Sequence, residues 1–307
     1  MSRQDIEFKT SDNVILRGWL YTPSKNQSLP GRLPCLVMSH AFAMLKEMGL
    51  DIFAKHFASQ LQMACLVFDN RGLGSSDVKE GQPRNEMIPS IQQSDIQDAI
   101  TYLQTLPEID PNKIGVWGAS YSGAHCLYLA AVDSRIKAII AQVPLVNGWD
   151  QFHRLVRPDI APGLIAAFQA DRVARAAGEP AGTIPIINDD PLGPSLMQAR
   201  AAHEYYSSWA TKLPQWKNET TIRSVESFRG YIPEHYIKLI SPTPLLMVVA
   251  EEDEIAPTEF ALRAYRRAYE PKELVLLPGG HFQSFAEPNL SEILARQTEF
   301  LRKTLCK

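Results

Sequence analysis

Residues 5 to 23, DIEFKTSDNVILRGWLYTP, alternate apolar and polar side chains on both sides of Ser11-Asp12-Asn13. That period predicts two antiparallel strands joined by a tight turn. Further on the pattern changes to short continuous apolar runs: LPCLVMSH, MACLVFDN, KIGVWGAS, IKAIIAQVP, PLLMVVAEED and ELVLLPGGH. Each is too short for a helix and turns polar or Gly-rich at its C-terminal end, the signature of strands buried on both faces of a parallel sheet.

Helical patterns lie between these runs. Leu50, Phe53, Ala54, Phe57, Ala58 and Leu61 share one helix face, as do Ile96, Ala99, Ile100 and Leu103. Ala124, Leu127, Tyr128 and Ala131 repeat the spacing, and Leu294, Thr298, Leu301 and Leu305 give a weaker version. Strand and helix in alternation specify an α/β fold with helices on both faces of a mostly parallel sheet.

The alternation stops between about Asn147 and Ile240. Here stand the helical pattern GLIAAFQADRVARAA, the Pro/Gly/Asp-rich patch GEPAGTIPIINDDPLGPS and three of the five tryptophans. The segment is too long and too apolar for a structureless loop. We expect a core domain of residues 1–146 and 241–307, and a helical cap of residues 147–240 folded over the strand ends.

Composition narrows the chemistry. The 307 residues are 45% hydrophobic with a formal net charge of −3, and no Lys/Arg block exceeds Arg266-Arg267. A nucleic-acid footprint is therefore missing. The four cysteines are scattered without zinc-ligand spacing. The first ten residues hold no apolar core of a leader, and no run approaches the ~18 apolar residues of a membrane span. These features lead to the expectation of a cytoplasmic protein that binds neither membrane nor metal.

Parallel sheets of this kind collect active groups outside the C-terminal ends of their strands. KIGVWGASYSGAH carries Ser120 and Ser122 where a strand meets a helix, the context of a nucleophile elbow. Both serines satisfy the requirement for small neighbours two positions away. Ser122, however, falls in the first helical turn with its hydroxyl placed to bond backbone, so Ser120 is the expected nucleophile. A serine needs a base, and the base needs a carboxylate to orient it. His281, behind two glycines after the last apolar run, is the candidate base; His40 and His125 are its rivals, at positions that suit packing and loop bracing. Among Glu251, Glu252, Asp253 and Glu254, Asp253 is favoured as the acid and Glu252 is the second choice. Two backbone N–H groups should meet the oxyanion: that of Tyr121, and that of Phe42 in the loop after LVMSH. Motifs for metallopeptidase, P-loop or dinucleotide chemistry are missing.

These stretches resemble the α/β-hydrolase superfamily over nearly the whole chain. SHAFAMLKE is similar to its H-G-x-x-x-x-K loop, LVFDNRGLGSSD to its F-D-x-R-G-x-G-x-S turn, and GASYSG to the G-x-S-Y-x-G elbow of X-Pro-peptidase-like and cocaine-esterase-like members. Ala41 stands where the family usually has Gly. Residues 81–125, 216–237 and 241–257 look like the dienelactone-hydrolase-related group of fungal polyketide transferases and thiohydrolases. The resemblance implies Ser120, Asp253 and His281 as a triad, with Phe42 and Tyr121 as oxyanion donors and no cofactor. It implies an acyl chain taken from a thioester or ester, with a polyketide synthase carrier domain as a partner and water or an alcohol as acceptor. Trp149, Phe152, Trp209, Trp216 and Phe228 could line an apolar channel for that chain or form the insertion's own small core. A general carboxylesterase, a peptidase, a cyclase and a ligand-binding protein are the rival readings, and a homodimer is allowed by the sequence without being specified.

Overall fold

The computed structural model describes residues 1–24, 31–190 and 193–307, so Pro191 and Leu192 of the Pro/Gly/Asp-rich patch lie outside it. β1 (Ser2–Lys9) and β2 (Ile15–Thr22) form the predicted hairpin, with Ser2 opposite Thr22. Asn13 takes the left-handed backbone of its turn at φ 71°, which Asn tolerates better than most residues.

All six apolar runs are strands: β3 (Leu33–Ser39), β4 (Ala64–Phe68), β5 (Ile109–Ala119), β6 (Ile136–Gln142), β9 (Leu245–Ala250) and β10 (Lys272–Leu277). They join one eight-stranded sheet in the order β1-β2-β4-β3-β5-β6-β9-β10. β2 meets β4 antiparallel, and every pairing from β4 to β10 is parallel.

Successive side chains still point to opposite faces of these strands. On β9, Leu246 and Val248 join one core while Leu245, Met247 and Val249 join the other. Apolar neighbours wait on both sides, which is why the sequence shows no alternation. α1 (Leu50–Gln60) and α9 (Asn289–Thr304) bring Phe53, Phe57, Phe300 and Leu301 to the first core. α2 (Pro89–Thr105), α3 (Tyr121–Val132) and α8 (Thr258–Arg267) bring Ile96, Leu127 and Ala261 to the second. Burying each such Leu, Ile or Phe contributes roughly 1.5–3 kcal/mol.

Between β6 and β9 the chain leaves this sheet. It forms α4 (Gly148–Leu155), α5 (Ala161–Ala176), α6 (Arg200–Ala210) and α7 (Ile222–Arg229), tied by a two-residue ribbon of β7 (Thr183–Ile184) and β8 (Thr220–Thr221). Phe152, Phe168 and Val225 make a small core of their own there. No helix among the described residues is long and apolar enough to cross a membrane.

Candidate active site

Ser120 joins the end of β5 to the start of α3 with φ 53° and ψ −113°. Backbone geometry of this kind costs of order 1–3 kcal/mol for a residue with a side chain, and the local sequence is arranged to hold it. A Cβ on Gly118 would stand 2.2 Å from the Ser122 carbonyl oxygen, and one on Gly123 would stand 3.0 Å from Pro144. The Ser120 N–H donates to the Gln142 carbonyl at 2.8 Å, and its own carbonyl accepts from Leu145 at 3.0 Å. The two serines of the stretch have separate fates. Ser122 is fully buried, its hydroxyl bonded to the His40 carbonyl and to Ser39 Oγ. Ser120 lines a cavity.

Asp253 follows β9 by three residues, and His281 opens a short turn (His281–Phe285) after β10. The neighbouring parallel strands bring them together: His281 Nδ1 lies 2.7 Å from Asp253 Oδ2, and both residues are buried. The other carboxylate oxygen accepts from the N–H groups of Ile255 (2.9 Å) and Ala256 (2.7 Å). An ionised carboxylate only accepts, so Nδ1 is the donor of this bond and Nε2 is left for other partners. Glu252 is exposed. Ser120 shares its cavity with Glu254 and Ile255, the residues after Asp253, but makes no hydrogen bond to His281. Contacts of this type commonly tighten only when substrate is bound.

The rival histidines lie in the interior. His40 Nδ1 donates to the Ala41 carbonyl at 3.0 Å while Nε2 accepts from the Asn70 N–H at 3.1 Å. His125 bonds Gln92 and Tyr231. Burial lowers the pKa of both, that of His125 to about 3.

The loop after β3 carries Phe42, whose ring meets Tyr121 edge-on at 5.0 Å; both line the cavity with Ser120. Neither the Phe42 nor the Tyr121 N–H donates to a protein acceptor among the described residues. Ala41 does not take a left-handed backbone in this loop; Ala43 does, at φ 54°. A buried ion pair braces the far end, with Lys46 Nζ 2.7 Å from Asp69 Oδ2 and the Lys46 N–H 2.9 Å from Asp69 Oδ1. Burial opposes charge on Asp69, but Lys46 and His40 together hold the carboxyl below its ordinary pKa. A Cβ on Gly74 would strike that carboxylate at 2.4 Å. The SHAFAMLKE and LVFDNRGLGSSD stretches thus form one bracing unit, a role that the motifs alone did not reveal.

The cavity holds about 680 Å³. Of the five candidate aromatics of the insertion, Phe152 and Phe228 line it. Trp149, Trp209 and Trp216 do not: Trp149 is exposed beneath Arg229, Trp209 packs against Tyr205, and Trp216 is buried with its indole N–H on the Ala43 carbonyl. Tryptophan carries a polar edge that must find an acceptor when buried, and at Trp216 that need outweighs a role in the lining. Gln151 of α4 escaped the sequence reading. It lines the cavity and donates to the Ile255 carbonyl, which fastens the Asp253 loop to the insertion. A polar residue on an amphipathic helix gives no signal of such a contact.

The model of the alpha/beta hydrolase fold family matches residues 34–288. The chain belongs to the α/β-hydrolase family. The polyketide transferase grgF of Penicillium sp is 32% identical to it over 303 residues, 99% of this chain and 97% of that protein. A thiohydrolase of Eupenicillium brefeldianum is 30% identical, covering 98% of this chain and 94% of its own. The crystal structure of GrgF superposes with a TM-score of 0.85 at 31% identity, and that of DcsB in complex with its substrate analogue at 0.87 and 27%, each over 100% of both chains. The fold is thus that of an α/β-hydrolase, and the proteins it resembles include a polyketide transferase and a thiohydrolase.

Two outcomes follow from the elbow and its surroundings. Gly118→Val should give an insoluble or misfolded chain, because the backbone at Ser122 has nowhere to move; a soluble variant with a wild-type melting curve would contradict the packing described. His125 is neutral when folded but takes a proton near pH 6.5 when unfolded. Its contribution is therefore complete above pH 6.5 and is lost as the pH falls toward about 3, at about 1.4 kcal/mol per pH unit. Urea unfolding between pH 7 and 5 should show a steeper loss in wild type than in His125→Gln, and equal slopes would exclude this origin.

Proposed function

We propose that the chain is a serine-dependent acyl hydrolase or acyltransferase that releases or transfers a polyketide-type acyl chain from a thioester or ester through an acyl-enzyme intermediate. The observation that carries this reading is the buried Asp253–His281 pair at 2.7 Å, at the same sheet edge as the strained Ser120. The likeness to a polyketide transferase and a thiohydrolase supports it.

In this reading His281 Nε2 takes the Ser120 proton as Oγ attacks the acyl carbon. Asp253 holds the ring and stabilises the imidazolium. Charge on the carbonyl oxygen meets the N–H groups of Phe42 and Tyr121, each worth roughly 2.7–4 kcal/mol of barrier. Collapse expels the thiol or alcohol with the proton from His281 and leaves an ester on Ser120. Water or an alcohol then adds, giving its proton to His281, and the acid or new ester departs as the proton returns to Ser120. Leu145, Phe152, Met197 and Phe228 would receive the acyl chain. A carrier domain presenting that chain as a thioester fits the same scheme.

Ser120→Ala should lower kcat on an acyl N-acetylcysteamine thioester by about 10⁶-fold, and Asp253→Asn by about 10⁴-fold. Retention of more than a tenth of the wild-type rate by Ser120→Ala would sink the reading. The apolar cavity also predicts a length preference. kcat/KM should rise from acetyl to octanoyl esters by up to roughly fourfold per CH₂, the equivalent of ~0.8 kcal/mol each; a flat profile would show that the chain does not occupy this cavity.

A further inference from the structure

Two side chains of the insertion reach past the cavity to the loop that carries Phe42. Tyr206 of α6 is buried, and its hydroxyl donates to the Phe42 carbonyl at 2.6 Å. Burial raises its phenol well above the ordinary value, so it stays a donor. Trp216 stacks on it, with ring centroids 5.6 Å apart, and donates to the next carbonyl, that of Ala43, at 2.8 Å. Neither residue lines the cavity.

The core side completes the hold. The Ala43 N–H meets Met87 Sδ at 3.1 Å, the Met44 N–H reaches the Ala41 carbonyl at 3.2 Å, and His40 Nδ1 meets that same carbonyl at 3.0 Å. Carbonyls 41, 42 and 43 are therefore all engaged. A peptide unit is planar, so fixing the Ala41 carbonyl fixes the Phe42 N–H that points away from it in the same plane. Ala43 holds a left-handed φ of 54°, a conformation that lasts only where its surroundings over-determine it. The cap side of those surroundings is Tyr206 and Trp216. The helix before Trp216 also touches the histidine loop, because Tyr205 stacks on Phe282 at 4.4 Å, next to His281.

We propose that Tyr206 and Trp216 are positioning residues that aim the Phe42 N–H at the oxyanion, so that the insertion sets kcat as well as admitting substrate. This rests on the acyl-transfer reading above. A donor displaced by a fraction of an ångström loses part of its hold on the transition state while the acyl chain binds as before.

The test compares Tyr206→Phe, Trp216→Phe and the double variant on p-nitrophenyl octanoate, with competent sites counted by fluorophosphonate titration and the inhibition constant of an alkylboronic acid measured in parallel. The boronate forms a tetrahedral anion on the nucleophile and needs the oxyanion donors; KM does not. Each single variant should lose about tenfold in kcat per titrated site with KM within twofold, and the boronate should weaken by a similar factor. The double variant should lose less than the product of the two, since both act on one loop. Wild-type kcat per site in the folded variants, or a loss confined to KM or to the number of titrated sites, overturns the proposal. Should one variant fail to fold, the other decides by the same criteria. A wild-type chain that neither turns over nor takes the label overturns the acyl-transfer reading itself, and the positioning role with it.

Discussion

Ser120 sits at φ 53° and ψ −113°, and much of the architecture can be traced to what that one backbone conformation requires. The strain is of order 1–3 kcal/mol, small against the whole core but enough to relax the turn if its neighbours allowed it. They do not. Gly118 leaves room for the Ser122 backbone, Gly123 lets Pro144 close in, and the neighbouring strand β6 takes the Ser120 N–H through the Gln142 carbonyl. Continuous burial of residues 114–119, on both faces of the second half of β5, then anchors the unit in the sheet.

The same edge of the sheet must also hold polar groups away from water, and Asp253 and the Lys46–Asp69 pair are compensated locally. Asp253 receives two backbone N–H groups as well as His281. Lys46 and Asp69 neutralise one another, with Ser75 and Glu47 completing the lysine's bonds. Removing one member of such a buried pair typically costs 3–5 kcal/mol, because the other charge is stranded. The interaction also connects the loop after β3 to the turn after β4. The insertion adds further ties, among them Gln151 to the Asp253 loop, and Tyr206 and Trp216 to the Phe42 loop.

Much of the fold was legible because it follows from period and run length. The six apolar runs could only be buried strands, and Leu50 to Leu61 only an amphipathic helix. The places of Ser120 and His281 at strand ends were legible from where the apolar runs stop, and that of Asp253 from chain order and its distance from Ala250. The insertion was harder to read. Aromatic content predicts burial but not direction, so Phe152 and Phe228, which face the cavity, looked the same as Trp149, Trp209 and Trp216, which do not. Side-chain to backbone bonds such as Tyr206 to Phe42 span 164 residues, and no local pattern encodes them. The Lys46–Asp69 pair lay within quoted motifs, yet only the packed structure reveals what the motif residues do for one another.

The proposed reaction passes through an ester on Ser120. Rapid quenching of the protein with an octanoyl N-acetylcysteamine thioester, followed by peptide mass spectrometry, tests it directly. An octanoyl group should appear on the peptide that contains Ser120, at the Ser120 hydroxyl, forming within one turnover and decaying as product appears. Product formed with no acyl group on that peptide at any time, or an acyl group found on Ser122, would contradict it.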